Sequence, residues 1–92
     1  LLQYIKPHFA VEQYYPRHTV FIDRFVESGH IICWGRKTLK NGEFLLLRAD
    51  SLKEAQRIIR EDPFEANQLA SFEIIEYEVE TYSRAFGSLV EA

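Results

Sequence analysis

Asn41-Gly42 stands between two runs of β-forming residues, 31–36 and 43–49, and nothing else in the sequence limits the fold as tightly. Asn-Gly readily occupies the positive φ angles of a tight turn, so the two runs are expected to pair as an antiparallel hairpin. A helical stripe flanks the hairpin on each side. Upstream, Phe21, Ile22, Phe25 and Val26 recur at three- and four-residue steps opposite Asp23, Arg24 and Glu27, with Pro16 suited to the first turn and Ser28-Gly29 to the stop. Downstream, Ser51 reads as an N-cap with Glu54 three residues on, and Leu52, Ala55, Ile58 and Ile59 form the stripe, which ends at Asp62-Pro63.

Outside the helices lie two further strand patterns. Residues 1–5 are mostly apolar and break at Lys6-Pro7; residues 72–82 alternate Ile75, Tyr77 and Val79 with Glu76, Glu78 and Glu80. The glutamate row is most simply a wetted strand face. The order β-α-β-β-α-β fits an α+β fold, a ferredoxin-like sandwich with both helices on one face of a four-stranded antiparallel sheet. No linker or repeat divides the chain, so residues 1–92 read as one domain, with a core over about 1–82 and a tail over 83–92.

Within the hairpin, Leu45, Leu47 and Ala49 point to one face and Phe44 and Leu46 to the other, while Ile31 and Cys33 alternate with Ile32 and Trp34. Both faces then look apolar. A chain of 92 residues has no second layer for the outer face, so a homodimer through that face is expected, with a tail, residues 82–90, folding back over the sheet as the alternative.

Composition narrows the partners. Eleven basic and fourteen acidic residues give a net charge of −3, which offers no broad cationic surface to nucleic acid or an anionic membrane. A small molecule or another protein is the expected partner. The single cysteine, Cys33, excludes an internal disulfide, is expected to be buried, and with no signal pattern at Leu1 points to a reducing cytoplasm. The absence of Met even at position 1 gives the expectation that a residue or more precedes Leu1.

Chemistry is expected at His18 and Asp62. His18 falls in the first turn of a helix starting at Pro16, on the inward stripe, where the helix dipole and burial favour the neutral ring that a general base needs. The other reading is a packed histidine with both nitrogens satisfied. Asp62 heads a capping box, Asp62-Pro63-Phe64-Glu65, and capping alone would account for it. The topology nevertheless places the start of the first helix and the end of the second at one end of the domain, so the two converge on one cleft with Lys6, Trp34 and Arg36. An acid beside a histidine can orient the ring and stabilise its protonated form. Trp34 is read as a pocket wall or core, and Arg36 as an anion contact or a solvated strand end. His8, His18 and His30 lack metal-site spacing, so no metal is expected.

Pro16-Arg17-His18, the hairpin, residues 51–61, Glu61-Asp62-Pro63-Phe64, Leu69-Ala70 and the strand over 72–77 together resemble the YCII-related (YciI-like) family over nearly the whole chain. The resemblance implies a dimeric α/β-barrel form of the ferredoxin-like fold, a His18–Asp62 catalytic pair and no cofactor. One characterised relative is a dehydrochlorinase acting on a chlorinated hydroxyquinol, and the similar barrel of muconolactone isomerases also moves protons. Acid–base chemistry of the lyase or isomerase type on a small polar molecule is therefore implied; a non-catalytic dimeric module binding a small ligand or protein is the alternative. Two positions depart from the family. Trp34-Gly35-Arg36 keeps only the glycine of a Ser-Gly-Pro-like turn, and Asn67 stands where a glycine is common.

Overall fold

A computed structural model describes residues 1–86. Seven elements follow in order: β1 (Leu2–Tyr4), α1 (His8–Glu27), β2 (Ile31–Arg36), β3 (Gly42–Leu47), α2 (Leu52–Ile59), α3 (Pro63–Ala66) and β4 (Ala70–Phe72). The four strands form one antiparallel sheet in the order β2-β3-β1-β4. The helices pack on one face of it through two apolar clusters. Leu2, Val11, Phe64, Leu69 and Ala70 make one; Phe21, Ile22, Phe25, Ile31 and Ile58 make the other. This is the ferredoxin-like sandwich expected from the order of elements.

Helix α1 begins at His8, a full two turns before Pro16, which lies inside it. An interior proline removes one hydrogen bond and costs about 3 kcal/mol. The apolar stripe explains why the helix nevertheless runs through. Val11, Tyr14 and Tyr15 continue the spacing of His18, Ile22 and Phe25 backwards, and Val11 is buried with Ala10, Tyr14 and Tyr15 packed around its cluster. At the other end the expected stop holds, with Gly29 at a φ of 86° just beyond the Ser28 cap. Ser51 caps α2 as expected, accepting from the Glu54 N–H at 3.1 Å, while the Glu54 carboxylate takes the N–H of Asp50.

The hairpin forms, but Gly42 has a different task from the one its neighbour Asn41 suggests. The connection runs over residues 37–41, with the Lys40 N–H donating to the Lys37 carbonyl and Lys40, not the glycine, at a positive φ of 58°. Gly42 is the first residue of β3, pressed against β1: a Cβ there would sit 2.2 Å from the Leu2 carbonyl oxygen. Glycine is needed for close approach of two backbones.

Strand β4 is three residues long, where the alternating pattern suggested eleven. It pairs with Leu2, Gln3 and Tyr4, and the Glu73 N–H closes the ladder on the Leu1 carbonyl. Residues 74–82 belong to no strand among the described residues, and Ile75 and Tyr77 are exposed together with the glutamates between them.

A bulge between Ile31 and Cys33 shifts the register of β2 on β3, so Ile31 and Trp34 both pack on the inner cluster and Cys33 turns outward. Cys33 is exposed, contrary to expectation. The outer sheet face is apolar chiefly along β3, where Phe44 is 43% exposed, and polar at Gln3 and Ser71. A groove of about 440 Å³ runs between that face and the following segment, lined by Ile32, Phe44, Leu46, Ile75, Tyr77 and Phe86. The segment thus partly overlies the sheet, and the rest of the folded-back tail, 87–90, lies outside the described residues.

Gly42→Ala is expected to destabilise the fold by about 2 kcal/mol, since the new methyl group meets backbone that cannot yield without breaking the β1–β3 ladder. Gly35→Ala is the control: its Cβ would meet the half-exposed Phe44 ring, which can swing aside. Urea unfolding of both variants checks this, and equal midpoints for the two would refute it.

Candidate active site

Glu43 is the residue around which the site is built. It lies on the helix-facing side of β3, in step with Leu45 and Leu47, and is fully buried. In the sheet register it stands opposite Leu2 of β1 and Arg36 of β2. Tyr4 is two residues beyond Leu2 on the same face of β1, diagonal to Glu43, and its hydroxyl donates to Glu43 Oε2.

From above, α1 lowers His18 onto this carboxylate. His18 is the eleventh residue of α1, not in its first turn, and is fully buried. Its Nε2 lies 2.7 Å from Glu43 Oε1 and its Nδ1 lies 2.8 Å from Asp62 Oδ1. Asp62 also is fully buried, and the same Oδ1 accepts the Phe64 N–H at 3.0 Å, capping α3. Capping and pairing with the histidine are therefore one arrangement. Pro63 fixes the first position of α3, and the turn then lays Phe64 over the imidazole, the two rings parallel within 4° and 4.0 Å apart.

These contacts decide the state of the ring. A neutral imidazole can donate from only one nitrogen, whereas both nitrogens of His18 face carboxylate oxygens, so the arrangement suits the imidazolium. Burial pulls the His18 pKa down, but hydrogen bonds from Asp62 and Glu43, together with their charges, outweigh it and raise the value to about 9. The expected neutral ring is thus overturned. Two premises had led to it: a place at the positive end of the helix, which α1 does not give, and burial, which the two carboxylates outweigh. Burial raises the Tyr4 pKa, and the hydrogen bond to Glu43 and its charge raise it further, so Tyr4 keeps its proton.

The remaining expected residues are dispersed. Trp34 is half-buried and stands edge-on to His18 with ring centres 6.3 Å apart, as a wall. Arg36 is exposed; its Nε donates to the Tyr15 hydroxyl at 2.8 Å and its guanidinium lies 4.4 Å over the Tyr15 ring. Lys6 is exposed, and the lysine at the cavity beside the site is Lys40. That cavity, about 280 Å³, is lined by Tyr4, Val11, Tyr15, Pro16, Arg36 and Lys40, with the His8–Glu12 pair at its side. Asp62 and Glu43 sit on opposite nitrogens of one ring and so do not converge on a common ion, and no group of three or more His, Cys, Asp and Glu side chains among the described residues is placed to hold a metal.

Sequence reasoning missed Glu43 and Tyr4. The signal was present for Glu43: period two from Leu47 and Leu45 places residue 43 on the inner face, where an acid needs a partner.

Because the histidine's pKa is higher in the folded chain than in an unfolded one, its contribution to stability is complete below about pH 6.5 and is lost as pH rises through about 9. Urea unfolding over a pH series is expected to show this loss, on the order of a few kcal/mol. Asn at position 62 keeps an acceptor oxygen for the cap but removes the charge, so Asp62→Asn is expected to lower the His18 midpoint and shrink the alkaline loss. Ring ¹⁵N spectra report the midpoint directly; a ring already neutral at pH 7 in the wild type would contradict the assignment.

Residues 1–78 match the family model described as the YCII-related domain. Neither a curated protein nor a solved structure matches the chain.

Proposed function

We propose that this chain, which belongs to the YCII-related family, is an acid–base enzyme of the lyase or isomerase type that acts without a cofactor on a small polar molecule. One observation carries the reading: a buried imidazolium held between Asp62 and Glu43 is joined, through the hydrogen bond from Tyr4 to Glu43, to the wall of a cavity open to a small molecule. Buried ionisable groups with strongly shifted pKa values cluster at sites of proton transfer. His18 and Asp62 form the acid–base pair, Trp34 walls it, and Arg36 offers an anion contact. In the imidazolium state His18 holds its protons between the two carboxylates, so the group that accepts the substrate proton must be another.

Complete burial of His18 favours a second reading, a non-catalytic module in which the charged cluster only fixes the fold. Solvent deuterium separates the two. Wild-type protein in D₂O is expected to label, or eliminate from, a member of a panel of small carboxylates and lactones with acidic C–H bonds, read by mass spectrometry, and His18→Gln is expected to lower that rate at least a hundredfold. Labelling undiminished in His18→Gln would remove the pair from the mechanism.

The same reading includes a homodimer of the α/β-barrel kind in the cytoplasm, joined through the outer face along β3. The exposed Phe44 and the apolar groove beside it support this association. Sedimentation is expected to give a dimer for the wild type and a monomer for Leu46→Glu; a monomeric wild type would exclude it.

A further inference from the structure

The cavity beside β1 does not reach His18. The imidazole, Glu43 and Asp62 are all fully buried, so a molecule in the cavity meets none of them directly. It meets Tyr4, which lines the cavity and whose hydroxyl is hydrogen-bonded to Glu43, hence to His18. Among the described residues Tyr4 is therefore the one lining residue hydrogen-bonded to the buried charges.

The walls also carry information about what enters. Val11, Pro16 and the rings of Tyr4 and Tyr15 are apolar, which suits a hydrocarbon body. At one side Arg36 spends only Nε on Tyr15, and its two terminal NH₂ groups have no acceptor among the described residues. Lys40 stands beside it at the hairpin turn. The one carboxylate of the lining, Glu12, is 3.0 Å from His8 and directed to it. Two cations without a carboxylate partner among the described residues, set over an apolar cavity, select an anion with an apolar body, and a planar guanidinium grips a carboxylate with two parallel hydrogen bonds. A volume of about 280 Å³ limits the body to roughly the size of one ring.

Resting on the acid–base reading above, we propose that Tyr4 is the catalytic residue that exchanges a proton with substrate, that Glu43 receives it, and that Arg36 and Lys40 hold the substrate as a small carboxylate. The step balances. The substrate C–H gives its proton to the Tyr4 oxygen while the phenolic proton passes to Glu43 Oε2; the C–H electron pair stays on the substrate as an enolate, or becomes a new C=C bond as a departing group leaves with the electron pair of its own bond. Glu43 becomes a neutral acid, and His18 keeps both protons, positioned between Glu43 and Asp62. The reverse movement returns a proton to the substrate at another carbon, or regenerates the enzyme by giving it to water.

The test uses the full chain with two probes of the same shape, benzoate and benzamide. Benzoate is expected to shift the amide signals of Tyr4, Val11, Tyr15 and Arg36 saturably, and Arg36→Gln, a change at an exposed side chain, to weaken that binding at least tenfold. Absence of such shifts, or equal binding of neutral benzamide, would overturn the anion site. Tyr4→Phe keeps the ring that packs edge-on to Phe64 and loses only the hydroxyl. It is expected to bind benzoate normally, to keep the doubly protonated His18 ring signals, and to label the wild type's substrate in D₂O at least a hundredfold more slowly. Exchange that depends on His18 but survives intact in Tyr4→Phe would sink the role of Tyr4 and leave the acid–base reading standing; exchange that survives in both variants would sink that reading itself.

Discussion

A protonated histidine sealed between two carboxylates is the interaction on which the rest of this structure depends. Each of its three members comes from a different element: His18 from α1, Glu43 from β3 and Asp62 from the cap of α3. Each has no exposure to water. Any shift of α1 along the sheet by a fraction of a turn would leave a charge buried without its partner, and breaking a buried pair costs about 3–5 kcal/mol. The helix is therefore registered on the sheet by the ring at position 18 as firmly as by the apolar stripe around it. The same demand reaches the proline inside α1. A helix that began at Pro16 would put His18 in a fraying first turn, whereas two preceding turns anchored by Val11 hold it in place.

The apolar part of this fold was legible because it follows periods. Phe21, Ile22 and Phe25, then Ala55, Ile58 and Ile59, stand on helical spacing, and all six are buried. Leu45 and Leu47 face the core as alternation demands. Asp62 was legible through its cap, but its meeting with His18 was read from a histidine at the start of the first helix, whereas His18 lies in the middle of α1. What escaped depends on partners distant in sequence. Glu43 at the head of a strand resembles a solvated end residue until a partner 25 positions away is supplied. Gly42 after Asn41 looks like a turn glycine, yet the constraint on it comes from Leu2, far off in sequence. Strand β4 ends at Phe72, and Glu76, Glu78 and Glu80 alternate with apolar residues without making a ladder among the described residues.

Stability by itself gives little reason for such a cluster. Replacing a buried ionic group by apolar side chains of similar volume is often neutral or stabilising, and the removal of charges from water costs several kcal/mol per ion. A chain of 92 residues has a small core, and here three ionisable side chains occupy its middle, with Phe64 stacked on one of them. Their placement has a direction. The chain of hydrogen bonds runs from Asp62 through His18 and Glu43 to Tyr4, and Tyr4 is the point at which it reaches a cavity. In a purely structural cluster that hydroxyl would serve only as the donor to Glu43 Oε2, a task that does not require a place on a cavity wall. The excess negative charge of one imidazolium between two carboxylates is likewise best placed close to Arg36, which stands opposite Glu43 in the sheet and turns its guanidinium to the same cavity. The arrangement leaves the cationic groups on the open side and the proton-holding groups on the closed side, and a small anion entering between them would exclude water from the path that joins the two.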